Sequence, residues 1–541
     1  MSKRYGTLCS WGTANMLVAV ALLVGGVLVV SPVEADNHER HILFNSDSGN
    51  AFAEFWSSAA HLGTMDAEAM KSIMETSVDE LAAAGVDALA TVVWARFLAM
   101  VPSKVMPDPF YWGQGYVTLS EAGYDPVDLM IDRCHQHDME FIACFRMNDR
   151  HGGAVGRFIS DHPEWQLKGV RGGPAVNYAY EPVRQEILAY IKELLSSYDV
   201  DGIELDYMRW CHMFEPGEGR QNAHLLTDFT RKTRQLLDAA AQRRGRERLV
   251  LGVRVPQTLQ ECDYLGFDVA TWIKEGLVDY VVPSDFFYTD FNARTEDFVK
   301  LAEGTNCKIY PAIHPIICEG DGVRINGPTN YRAAARNFYA YGADGVEAYN
   351  YQYHWGRRIG RTTSWPTYMW PAALGYLGKL ADPQDIAKHD RHYRFYRLWE
   401  NGAPTGEAKD DRIVLDRTES APQGSQRFRL AEDLSNPNLR ATLQFKAVGL
   451  GEDEALEIQL NGTVVPDNYI LRQFYSEGQN EWQGRPLDAF YEYTIDLDWG
   501  MLAPPIINGD NELTVRLLPA QGQSEGTATI DELEVYVYVK T

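Results

Sequence analysis

Residues 200–209 read Val-Asp-Gly-Ile-Glu-Leu-Asp-Tyr-Met-Arg. Strict alternation predicts a β-strand with Ile203 and Leu205 on one face and Glu204 and Asp206 on the other. Two carboxylates on one face of an apolar strand suit nucleophilic or acid–base chemistry. Cleavage of a glycosidic bond needs such a pair, about 5 Å apart for retention and about 6.5–9.5 Å for inversion. Asp206, at the C-terminal end of the strand, is the candidate nucleophile. Its partner is open between Asp285 and Glu347. Glu204, two residues deeper, orients Asp206 or pairs with Arg254 or Arg146. The competing reading makes Asp206 one half of a buried ion pair.

The elements that would position these groups alternate along the chain. Apolar, β-branched runs predict strands at 42–46, 86–94, 140–147, 201–207, 248–255, 278–284, 308–314 and 344–350. Helical patterns fall at 66–84, 125–138, 181–197, 221–244, 267–276, 293–304, 329–342 and 367–380. Asp125-Pro126 and Glu181-Pro182 mark helix starts, because proline suits the first helical position. Gly85 and Gly342 sit just past helix ends, where a left-handed residue is needed. Eight strand–helix pairs in roughly 340 residues have the count and size of a (β/α)8 barrel of the α/β class, the TIM barrel. An open doubly wound sheet would carry a glycine-rich loop after its first strand, and none is present.

In such a barrel one rim should collect polar and aromatic side chains, since active sites form at the C-terminal ends of the strands. The strand ends carry Asn45 and Asp47, Trp94 and Arg96, Arg146, Asn148 and Asp149, then Glu204, Asp206 and Arg209. Arg254, Ser284, Asp285, His314, Glu347, Tyr349 and Asn350 continue the series. Aromatics follow the same places: Phe110-Tyr111-Trp112, Tyr207 with Trp210, Phe286-Phe287-Tyr288, and Tyr349 with Tyr351, Tyr353 and Trp355. Sugar rings stack their C–H faces on aromatic rings and give their hydroxyls to polar groups. The expected substrate-binding set is therefore Trp94, Arg146, Asn148, Tyr207, Arg209, Trp210, Arg254, Phe287, His314, Tyr349, Asn350 and Trp355. No metal or other cofactor is expected, because Asn45-Ser46-Asp47 has no His-x-His. His135 and His137 close a helix, where cations are routine.

The fourth strand resembles that of many retaining glycoside hydrolases. Residues 41 to about 380 resemble bacterial glycoside-hydrolase-like barrels with an Asp-Gly-Ile-x-x-Asp-Tyr fourth strand. The resemblance implies a carbohydrate-cleaving TIM barrel, and barrels that carry the acid on strand six would use Asp285. Chitinase-like barrels share Asp-Gly-Ile-x-Leu-Asp but place their acid where this chain has Met208. Amylase-like barrels have arginine where it has Glu204. No substrate carries over, and a carbohydrate-binding barrel without chemistry is the alternative function.

Residues 386–410 form a charged, Gly- and Pro-containing linker after a barrel over 36–385. Beyond it, 411–541 alternate in short runs, with Asn461-Gly462 and Asn508-Gly509 as tight turns. The runs predict an antiparallel β-sandwich, and they resemble the galactose-binding-like jelly rolls appended to secreted carbohydrate enzymes.

A net charge of −25 disfavours a nucleic-acid or anionic-membrane partner. A strongly anionic polysaccharide would need a local basic patch. Lys3 and Arg4, the apolar run from Met16 to Val30, and Val33-Glu34-Ala35 read as an export signal over 1–35. That implies a secreted or periplasmic protein, with no membrane partner after cleavage. The oligomeric state is not encoded in any pattern. Cys134, Cys144, Cys211, Cys262, Cys307 and Cys318 follow the signal, allowing zero to two disulfides.

Overall fold

The computed structural model describes residues 40–46, 66–107, 114–149, 155–170, 173–286, 288–318, 324–350, 372–396, 411–476, 478–479, 486–499, 506–519 and 525–540. The expected export signal, Asp47, Phe287, Trp355 and the aromatics at 110–112, 351 and 353 lie outside them.

Eight parallel strands build the barrel wall: β1 Ile42–Ser46, β2 Ala88–Ala95, β3 Glu140–Arg146, β4 Gly202–Asp206, β5 Val250–Pro256, β6 Tyr280–Ser284, β7 and β8 Val346–Tyr349. Strand β7 comes in two pieces, Lys308–Ile309 and Ala312–Ile313. The first piece pairs with β6 and the second with β8, so the two ends of the sheet meet on one strand and the barrel closes. Pro311 explains the break, because it has no N–H to donate. Its carbonyl still accepts from Glu347 N at 3.1 Å. The strands read as nearly continuous apolar runs because both faces are covered, as parallel sheets require.

The outer ring includes α1 Ala67–Ala83, α2 Pro126–Gln136, α3 Glu181–Ser197, α4 Gly219–Arg244, α5 Val269–Lys274, α6 Thr295–Ala302 and α7 Pro328–Ala340. Asp125 caps α2 by accepting from Val127 N at 2.9 Å, with Pro126 following it. Gly85 and Gly342 take φ values of 80° and 94° after α1 and α7.

The C-terminal strands form two antiparallel sheets. In the larger, β9 Arg391–Phe395 and β10 Ile413–Asp416 both pair with the long C-terminal strand, which continues through β12 Leu439–Val448 and β16 Phe490–Asp496 to the edge strand β15 Ile470–Tyr475. The smaller holds β11 Gln423–Leu430, β17 Gly509–Leu517, β13 Leu456–Leu460 and β14 Thr463–Val464. The long strand is β18, Thr527–Val539. Alternate residues face the shared core, where Phe395 of one sheet lies 5.6 Å from Phe428 of the other. Asn461 and Gly462 make the β13–β14 turn with φ of 48° and 77°, the left-handed pair a tight hairpin needs.

Two details differ from expectation. Strand β9 lies inside the stretch expected as linker, and β15 was not foreseen. In β9 the basic residues Arg391, His392 and Arg394 surround the buried Tyr393 and Phe395, and in the largely exposed β15 Arg472 and Gln473 put a polar residue on each face, so neither run shows a clean alternation. Helix α7 ties the barrel to the sandwich. Asn330 Nδ2 donates to His392 O at 2.8 Å, and Asn337 Nδ2 donates to Arg429 O at 3.0 Å. Cys134, Cys144, Cys211, Cys262 and Cys307 are buried thiols. Among the described residues no helix is long and apolar enough to cross a membrane.

Candidate active site

The alternation of β4 turns Glu204 and Asp206 into the barrel, where two polar tiers gather around them. The lower tier surrounds Glu204. Its Oε1 accepts from Asn45 Nδ2 at 2.6 Å and lies 3.6 Å from Cys144 Sγ, and its Oε2 accepts from Tyr280 OH at 2.8 Å. Tyr280 reaches it only because β5 offers Gly252 in its path: a Cβ there would fall 2.0 Å from the tyrosine ring.

Arg254 organises the upper tier. Its Nη1 donates to Asp206 Oδ1 at 2.8 Å, and its Nη2 donates to Ser284 Oγ at 2.9 Å and to Asp285 O at 3.3 Å. The guanidinium lies 3.6 Å over the Tyr349 ring, and His314 packs on Tyr349 with centroids 4.9 Å apart. One arginine thus draws the ends of β4 and β6 together. Asp206 Oδ1 also accepts from Met208 N at 2.8 Å. Among the described residues its Oδ2 accepts nothing.

The electrostatics follow from enclosure. Glu204 and Glu347 are 0% exposed and Asp206 1%. Burial pushes the Glu347 carboxyl well above the usual range, and the Glu204 carboxyl adds to this while Arg254 opposes it. Burial and the Asp206 charge raise Glu204, against the Tyr280 hydrogen bond and Arg254. Both carboxyls are thus pushed toward the protonated form, Glu347 the more strongly. Glu347 approaches Arg254 Nε only to 3.5 Å. Burial works against the Arg254 charge, but Asp206, Tyr349 and the two glutamates outweigh it and hold it cationic. Burial, with Arg254 and Arg209 nearby, keeps His314 neutral. Asp285 is half-buried, and its Oδ1 accepts from Tyr288 N at 3.0 Å.

The structure brings together Asp206, Glu204, Glu347, Arg254, His314 and Tyr349 from the sequence-derived set. Arg146 joins them through register, since it and Arg254 are the neighbours of Asp206 on either side. Arg209 and Trp210 pack on Phe286, each 5.2 Å from its ring. Asn350 is buried past β8 with φ of 54°, its N donating to Asn45 O at 3.2 Å.

Three members go elsewhere. Tyr207 follows Leu205 to the outer face and packs on Phe267 and Trp272 at 4.8 and 6.0 Å. A one-residue bulge in β2 between Val92 and Trp94 turns the Trp94 ring outward onto Phe145, which itself packs on Tyr190 of α3. Asn148 spends its amide on loop backbone, bonding Val176 N and O and His212 O. Tyr280 was missed; it shares the parity of Ser284 on β6 and faces a glycine across the strand pair, which is the signal that finds it. Among the described residues no cluster of His, Cys, Asp and Glu is arranged to hold a metal ion.

Residues 56–239, which carry β2 to β4, match the family model described as glycosyl hydrolase-like 10. The resemblance of the barrel to glycoside-hydrolase-like proteins therefore holds. Glycosyl hydrolase YngK of Bacillus subtilis (strain 168) is 22% identical over 259 residues, which are 41% of this chain and 50% of that protein. The chain thus matches about half the length of this curated relative. Among solved structures, an Anoxybacillus α-amylase aligns over 90% of this chain and 99% of its own at 14% identity and a TM-score of 0.38. A Geobacillus stearothermophilus GH36 α-galactosidase aligns over 85% and 56% at 13% identity and a TM-score of 0.37.

Proposed function

We propose that the chain is an exported glycoside hydrolase acting on a poly- or oligosaccharide with retention of configuration. The observation that carries this reading is the half-used carboxylate of Asp206. A buried ion pair kept for structure would engage both oxygens, because unmade hydrogen bonds on a buried charge are costly. Here Arg254 and Met208 N fix Oδ1, and Oδ2 is left for a substrate at the end of β4, where barrel enzymes do chemistry. In this reading Oδ2 attacks the anomeric carbon while Asp285 protonates the departing oxygen, giving a glycosyl ester on Asp206. Asp285 then takes a proton from water, which cleaves the ester and restores both carboxyls.

Asp285 is preferred to Glu347 as the acid because it is half-buried on the rim, whereas Glu347 is enclosed below it. Glu204 and Glu347 are positioning residues beneath the nucleophile. Arg209, Trp210 and Tyr349 supply the stacking and polar surface a sugar needs. The N-terminal pattern supports export, and the sandwich braces the barrel.

The test is release of new reducing ends from a panel of plant, algal and bacterial polysaccharides by the full chain and by Asp206→Asn. Release by the parent and a loss on the order of 10³-fold or more in the variant is expected. Equal release by both would remove Asp206 from the chemistry. Binding without release by either protein would favour a carbohydrate-binding barrel.

A further inference from the structure

Three edge strands of the sandwich are covered or short. In the larger sheet β9 lies against α7, where Asn330 Nδ2 bonds His392 O. In the smaller sheet β11 is covered from the barrel side, since Arg427 O accepts from Asn292 Nδ2 and Arg429 O from Asn337 Nδ2. At the other edge of that sheet, β14 is only the two residues Thr463–Val464. Short or covered edges are how native sheets avoid unwanted pairing. Edge strand β15 is different. It runs for six residues, contains no lysine or proline, and among the described residues pairs with β16 alone.

Apolar surface collects on the same strand. Of the eight large hydrophobic side chains exposed among the described residues, three stand on β15: Leu471 at 61%, Phe474 at 56% and Tyr475 at 37%. Alternation puts Leu471 and Tyr475 on one face of the sheet and Phe474 on the other. A ligand stacked on the sheet would need only one of these sets. Apolar residues on both faces are what a strand with covered, paired surroundings carries. The rings are also held in place, Tyr475 on Phe490 at 5.1 Å and Phe474 on Tyr491 at 5.0 Å. Ordering them on association therefore costs little. Arg472, the one charge on the strand, is drawn back over Tyr491 at 3.7 Å and bonds the carbonyls of Gly451 and Glu454, each at 3.0 Å.

We infer that β15 pairs with β15 of a second copy of this chain, antiparallel and centred on Gln473. The strand is complementary to itself in that register. Leu471 meets the partner's Tyr475 on one face of the joined sheet, Arg472 lies beside the partner's Phe474 on the other, and Gln473 meets the partner's Gln473 across the two-fold axis. Centring the pair one residue earlier would set Arg472 against the partner's Arg472, which is destabilising. A six-residue ladder is a small interface, so the association is weak, on the order of micromolar. Pairing at β15 involves no residue of the barrel mouth and stands whether or not the barrel cleaves sugar.

Sedimentation velocity and amide exchange on the full-length chain test this. Dimer should form as protein rises from about 1 to 200 µM, and the amides of residues 470–475 should slow in step. Each copy carries a net charge of −25, so repulsion opposes association, and the dimer should strengthen as salt rises from about 0.05 to 0.5 M. Leu471→Lys and Tyr475→Glu, both at exposed positions and checked by thermal melting, should each weaken the dimer at least about tenfold. An equimolar mixture of the two variants should recover it, because the new lysine then faces the new glutamate. Association unchanged in both variants, or amides of 470–475 that exchange equally fast at every concentration, would overturn the inference. Two weakened variants that do not recover on mixing would overturn the register centred on Gln473. A parent that stays monomeric throughout would overturn the pairing itself, and loss of polysaccharide binding by Tyr475→Glu would then make β15 a sugar platform instead.

Discussion

Arg254 in the barrel and Arg391 at the seam with the sandwich are both buried against carboxylates, yet they are built differently. Arg391 meets Glu432 in a two-point pair, Nε to Oε1 and Nη2 to Oε2, each at 2.7 Å. Tyr393 OH adds a bond to Oε1 at 2.6 Å, and Arg391 Nη1 donates to Ala387 O at 3.1 Å and to His389 O. Charges match one to one, and every polar atom has a partner. Arg254 instead faces three carboxyls: among the described residues Asp206 Oδ2 accepts no bond, and burial pushes the Glu347 carboxyl well above the usual range. A closed pair fixes a fold. An open cluster with surplus acid and an unused oxygen costs stability, and in the proposed reading it serves chemistry.

That contrast predicts where the effects divide, starting with the largest. Asp285→Asn should lower kcat by about 10²- to 10⁴-fold, the worth of a general acid, while leaving the melting temperature nearly unchanged. Glu432→Gln should do the reverse. It leaves Arg391 buried without its charge partner, so unfolding in denaturant should lose about 3–5 kcal/mol, with kcat per folded molecule retained. If Glu432→Gln abolishes turnover in protein that is still folded, the seam is part of the site and the contrast fails.

Glu347→Gln sharpens it further. A carboxyl whose folded value is raised binds a proton more tightly in the folded state, so stability falls as pH rises above the ordinary carboxylate range. The glutamine variant lacks that slope. It should melt with the parent near pH 4 and above it at neutral and alkaline pH, and it should keep most of its activity. Parallel curves for both proteins would show that Glu347 ionises as an ordinary acid. Tyr280→Phe should have the smallest effect, a loss of about 1–3 kcal/mol from the unmade bond to Glu204, with turnover changed less than tenfold.

Much of this was legible in the chain. Every strand of the barrel was readable because parallel strands covered on both faces are apolar runs with clear edges. The alternation that identified Glu204 and Asp206 also sends Tyr207 outward with Leu205, so its place was readable by the same rule. Trp94 was not, because a bulge that reverses a side chain leaves no mark in a run such as Ala-Thr-Val-Val-Trp. Nor was the role of Arg391: a basic residue in a charged stretch reads as linker until β18 arrives some 140 residues later to pair with its strand. The closing of the barrel by two half-strands around Pro311 likewise depends on neighbours, not on local sequence.

The central claim is that Asp206 Oδ2 attacks the sugar. Asp206→Gly, assayed with and without azide on a substrate the parent cleaves, tests it most directly. The account predicts an inactive variant that azide revives, yielding a glycosyl azide of inverted configuration because the small anion occupies the vacated place of the carboxylate. Turnover by Asp206→Gly without azide, or azide rescue at Asp285→Gly with inversion in place of Asp206→Gly, would contradict it.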